Sequence, residues 1–191
     1  MNKQLTARII ATAAVAALAL VATGEASTAA SEPNLRVGLL QPSELPGFAS
    51  VFCPTVVDDA YRWAGRYTST SSLRRDGFVA GLSEPLYSRS LRAQALTSVA
   101  EFRSETSARA ELEREVAAAR HTPGSFKAFT VESVPGAYGF TLERGAVVED
   151  DVLFSTGRYV YLAGFTNRLG SNPIAKPQLV LAVAALYERV R

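Results

Sequence analysis

Residues 152–165 read VLFSTGRYVYLAGF. Two strand-forming runs, 152–155 and 158–165, flank Thr156-Gly157, a short hairpin signal. The second run is apolar on both of its alternating faces, which places it centrally in a sheet. A hairpin whose second strand is central predicts a mainly antiparallel sheet. The flanking sequence extends it on both sides. Residues 126–134 alternate, Pro135-Gly136 marks a turn, and 138–143 form another strand. Residues 144–151, with Gly145 and the acidic run Glu149, Asp150 and Asp151, predict a loop.

Upstream, 77–87 and 95–102 read as two strands joined by SRSLR. Pro85 lacks an N–H and predicts that the first of them lies at an edge or ends there. In the second, Leu96, Ser98, Ala100 and Phe102 are the expected core face. The clearest helix is 104–121. Ser104 or Thr106 can cap it, Glu105 suits the positive end of its dipole, and Ala108, Leu112, Val116 and Ala119 form a stripe. Pro123-Gly124 ends it. A second helix is expected at 177–191, striped by Leu179, Val183, Leu186, Tyr187 and Val190, and a shorter one within 54–67. Residues 36–41 read as a short strand. There is no βαβα alternation and no internal repeat. The fold expected is a single α+β domain over 31–191, a mainly antiparallel sheet with two or three helices packed on one face.

The N-terminus is an address. Lys3 and Arg8 precede an apolar run of about 15 residues, short of the roughly 20 that span a bilayer. Small residues follow at 26–30. This is the pattern of a secretory signal peptide over residues 1–30. Cleavage leaves no stable membrane span, and no cysteine lies near the site for lipid attachment.

Composition narrows the chemistry. The chain has 191 residues, 48% of them hydrophobic, and a net charge of +2. That charge is too small for a nucleic-acid footprint. One Cys and one His exclude an internal disulfide framework and a multi-His metal site. Phosphate loops of the G-x-G-x-x-G or G-x-x-x-x-G-K-[ST] type are missing, as is the G-x-S-x-G elbow. The acidic run lacks calcium-loop spacing. No cofactor, metal or catalytic residue is therefore expected. His121 is read as a dipole partner at a helix end. The apolar neighbours of Cys53 predict a buried, inert thiol, with an interchain disulfide or a catalytic role as alternatives.

Aromatics are the feature that points to binding. Trp63, Arg66 and Tyr67 fall on one predicted helix, and Tyr159, Tyr161 and Phe165 share one face of the central strand. Tyr and Trp combine apolar area with a polar tip. These six are the candidate ligand- or partner-binding residues.

Three segments carry a family resemblance: TSVAEFRSETSARAELE (97–113), VESVPGAYGFTLE (131–143) and DVLFSTGRYVYLAGF (151–165). Together they resemble exported actinobacterial proteins of uncharacterised function, similar to PsbP-like α+β domains. The resemblance spans about residues 75–170 and rests on turn glycines and strand apolars. It implies an α+β sandwich and export, and it carries over no catalytic residue. The lipid-attachment cysteine of the lipoprotein members is absent here. The function expected is that of an exported, non-catalytic binding domain of the envelope or medium, for a small apolar or amphipathic ligand. An envelope protein-interaction module and an enzyme with an atypical site are the alternatives.

Overall fold

The structure, a computed structural model, describes residues 32–65, 67–168 and 176–191. The leader read at 1–30 and Arg66 lie outside the described residues. The elements run α1 (Glu32–Val37), β1 (Ala49–Ser50), α2 (Ala60–Trp63), α3 (Thr70–Arg75), β2 (Phe78–Ser88), β3 (Ala93–Phe102), α4 (Glu105–His121), β4 (Ser125–Phe129), β5 (Tyr138–Arg144), β6 (Val147–Thr156), β7 (Tyr159–Arg168) and α5 (Lys176–Val190). The strands form one seven-stranded sheet in the order β1-β2-β3-β7-β6-β5-β4. Each neighbouring pair is antiparallel. The α+β reading holds, and β7 lies at the middle of the sheet. Thr156-Gly157 does turn the β6–β7 hairpin, with Gly157 at φ +50°. On the side away from β3, β2 is flanked among the described residues by the two-residue β1, which fits Pro85.

The helices cover both faces of the sheet, not one as expected. On the first face, α5 buries Leu179, Ala182, Val183 and Leu186 against Val152, Phe154, Tyr161 and Ala163. Leu35, Leu39, Leu40, Leu45 and Phe48, from α1 and the chain that follows it, complete this core. Arg189 of α5 ties that chain down, donating to Val37 O at 3.1 Å and Leu39 O at 2.6 Å and pairing with Glu44. Packing is close enough that a Cβ at Gly38 would sit 2.9 Å from the Tyr161 ring.

The second face is covered by α4. Its N-cap Ser104 accepts from Ser107 N at 3.1 Å, and Arg109 pairs with Glu105 at 2.9 Å. Ala108, Leu112, Val116 and Ala119 are all buried as expected, against Ala100, Phe102, Phe140, Leu142, Leu153 and Val160. Strands β3, β6 and β7 are thus sandwiched where helices lie above and below them, and neither of their alternating sets is free to be polar there.

Several local expectations are corrected. Residues 36–41 are the end of α1 and a turn, because a short apolar run fits helix and strand equally. The helix within 54–67 shrinks to α2, capped by Asp59, whose Oδ1 accepts from Tyr61 N and Arg62 N at 2.7 and 3.0 Å. α3 then starts anew with a Ser69–Ser72 capping box. The strand expected over 126–134 stops at Phe129. The loop expected over 144–151 contracts to a turn at Gly145, and the acidic run belongs to β6.

Candidate functional site

Helix α4 does not extend over the whole second face. Toward β2 the sheet is bare, and α2, α3 and the segment 51–57 border it. The result is a groove of about 810 Å³, within the roughly 300–1,000 Å³ of small-molecule sites.

Strand register lays out its floor. Tyr87, Gln94, Thr166 and Glu149 form one cross-strand row. Pro85, Leu96, Gly164 and Asp151 form the next, followed by Ser83, Ser98, Leu162 and Leu153. Trp63 closes one end. Its ring lies over Gly81, where a Cβ would meet it at 2.6 Å, and stacks on Phe78 with centroids 5.7 Å apart. Gly81 is thus a close approach that only glycine permits. Val51 and Phe52 form the outer lip, and Phe52 is 70% exposed.

The opposite wall is acidic and engaged. Glu149, Asp150 and Asp151 are buried, whereas the sequence predicted a solvated loop. Strand β5 and the chain between α2 and α3 supply partners that make burial tolerable. Arg144 Nη2 donates to both Glu149 oxygens at 3.1 Å, Thr141 Oγ1 to Asp150 Oδ1 at 2.6 Å, and Tyr67 Oη to Asp151 Oδ2 at 3.1 Å. Asp150 faces the first core and Lys176.

From α4, Glu115 reaches the groove wall while only 7% exposed. Burial, and then the nearby Glu111, push its carboxyl up to about 8. Glu111 is raised to about 7 by burial, opposed by the Ser72 hydroxyl and by Arg75. Glu115 is therefore a neutral acid at pH 7, able to donate as well as accept.

The structure divides the six expected site residues. Trp63 and Tyr67 are half-buried and line the groove, rather than forming an exposed patch. Arg66, between them in sequence, lies outside the described residues. Tyr159, Tyr161 and Phe165 point to the other face, under α5 and residues 35–48. Tyr161 stacks on Phe154 at 4.7 Å, and Phe165 on Phe48 at 5.7 Å. That face is filled core, so the six do not form one surface. Sequence reasoning missed Phe52, Tyr87, Leu96, Ser98, Glu115 and Thr166. One signal was available: Ser98 within a supposed core face, and Glu111 and Glu115 on the same helical face as the α4 stripe.

Cys53 is exposed, not buried, because its neighbours Val51 and Phe52 are themselves on the groove lip. His121 sits at the C-terminus of α4 and donates from Nδ1 to Ala117 O at 2.7 Å. Among the described residues no group of His, Cys, Asp and Glu is disposed to hold a metal ion, and no helix is long and apolar enough to cross a membrane.

The architecture is that of an α+β domain with an antiparallel sheet, helices on both faces and an open groove on one. No family model matches the chain. No curated protein matches it either. Among solved structures, it is similar to the extracellular domain of PknH from Mycobacterium tuberculosis, with a TM-score of 0.61. The match covers 84% of this chain and 96% of that one at 12% identity, so what is shared is the fold.

Proposed function

We propose that this chain is an extracytoplasmic, non-catalytic binding domain whose groove takes a small amphipathic ligand. One observation carries the reading. Among the described residues, four of the eight large exposed apolar side chains, Val51, Phe52, Tyr87 and Leu96, gather on this one groove, while Val37, Tyr61, Tyr138 and Leu181 lie elsewhere. Exposed apolar area concentrated in a concavity marks a binding site more than chance scatter does. The polar side chains beside it supply the orienting contacts such a site needs. The secretory pattern of residues 1–30 supports export, as does the extracellular setting of the PknH domain, whose fold is similar. A relation to exported actinobacterial proteins of the PsbP-like type belongs to the same reading.

The test uses the single tryptophan, Trp63, as reporter. Titration with the neutral apolar probe N-phenyl-1-naphthylamine is expected to quench Trp63 at one probe per chain. Leu96→Glu, which places a charge on the floor, is expected to abolish binding without unfolding the protein. Absence of saturable binding to the wild-type protein overturns the proposal.

A further inference from the structure

We infer that the groove selects a neutral amphiphile with a hydroxyl-rich head, a sugar or polyol bearing an apolar tail. This deepens the preceding proposal and rests on the groove being the ligand site. The floor is graded across the strands. Its β2 side carries Phe52, Tyr87 and Leu96, which offer apolar and aromatic area. Three strand spacings away, about 14 Å, stands the β6 wall with Asp151 and Glu149.

Between the two lie groups that decide the head. Ser98, Gln94 and Thr166 project from β3 and β7 into the groove, and their side chains hydrogen-bond to nothing among the described residues. Glu115 faces the same space, nine-tenths buried, with no described side chain donating to it. Each is neutral at pH 7 in this setting, and each both donates and accepts or, for the amide, carries both functions. Of the charged side chains along the groove, Glu149 is paired with Arg144 and Asp151 accepts from Tyr67, while Arg62 of α2 stands exposed at the rim beside Trp63. An anionic head would meet those carboxylates. A cationic head would find Glu149 already paired with Arg144 and Glu115 protonated, leaving Asp151 as its one carboxylate among these three. A head made of hydroxyls matches the mixed donor and acceptor set, and the rings of Trp63 and Tyr67 suit the apolar faces of a sugar.

The experiment titrates Trp63 fluorescence in the full chain with four compounds below their micellar concentrations: octyl glucoside, octyl sulfate, octyltrimethylammonium and glucose. N-Phenyl-1-naphthylamine is the control for the groove itself. Octyl glucoside is expected to bind at least tenfold tighter than either charged amphiphile and than glucose. Ser98→Ala and Thr166→Val are each expected to weaken octyl glucoside about fivefold, the loss of one hydrogen bond, and to weaken it more than they weaken the naphthylamine. Equal affinity for all three octyl compounds, or tighter binding of a charged one, overturns the inference while the groove reading stands. Glucose binding as tightly as octyl glucoside removes the amphiphile and overturns it too. If the naphthylamine also fails to bind, the groove reading itself falls.

Discussion

Replacing Glu115 by Gln tests the electrostatics of the groove wall. The substitution keeps shape and removes a proton site. In the folded protein this carboxyl titrates near 8, against an ordinary value of 4.5. Below pH 4.5 it is protonated in both folded and unfolded chains and contributes nothing to their difference. As pH rises above 4.5, the unfolded chain ionises while the folded one holds its proton. Folded stability therefore falls by about 1.4 kcal/mol per pH unit and levels off above about 8. By pH 7 the cost is roughly 3 kcal/mol, or about 2 once the titration is shared with Glu111. Glu115→Gln lacks this term. Urea unfolding followed by Trp63 emission is expected to give matching midpoints near pH 4.5 and a variant midpoint higher by about 1 M at pH 7, for an m-value of about 2 kcal/mol/M. A variant less stable than wild type at pH 7, or a gap that does not change with pH, contradicts a buried Glu115 held protonated in the folded protein.

Other perturbations probe the frame around the groove. Gly81→Ala puts a methyl 2.6 Å from the Trp63 ring; it is expected to cost about 1–3 kcal/mol and to red-shift the tryptophan emission as the ring is displaced into water. Arg189→Met cuts the links from α5 to Val37, Leu39 and Glu44; hydrogen exchange over residues 35–48 is expected to speed up while that of α4 is unchanged. Leu112→Ala opens a cavity under α4 and is expected to lower stability by about 2–5 kcal/mol in the same urea assay. Cys53, being exposed, is expected to react with a thiol reagent such as dithionitrobenzoate in the native protein at the rate of a free peptide thiol; protection until unfolding would contradict its placement.

Elements whose pattern is local were legible in the sequence. Helix α4 announced itself through a cap, a first-turn carboxylate and a stripe, and the β6–β7 hairpin through Thr156-Gly157 between apolar runs. What depended on distant partners was not. Thr97 looked like an outward residue, yet it is fully buried because its Oγ1 accepts from Leu40 N at 3.0 Å, across 57 positions of chain. That one contact helps explain why the Ala95, Thr97, Val99 set faces the α5 core and Leu96 and Ser98 face the groove. The acidic run looked like a loop because three adjacent carboxylates are rarely buried without partners. Those partners come from Arg144, Thr141 and Tyr67, and the Tyr67 hydroxyl bonds Asp151 across 84 positions. The tyrosines of β7 showed their shared face correctly, but sequence alone did not say which face the helices would fill. The groove is a consequence of that choice: α4 ends its coverage before β2, and the uncovered floor includes Leu96 and Ser98, which alternation had assigned to the core.

Binding of a neutral amphiphile in the groove is tested most directly by a methyl NMR titration of the protein with octyl glucoside. Leu96 and Leu162 project into the groove, whereas Leu179 and Leu186 lie in the opposite core. Saturable shifts of the Leu96 and Leu162 methyls are expected, with Leu179 and Leu186 unmoved. Shifts centred on Leu179 and Leu186, or none on either face, would contradict binding in the groove.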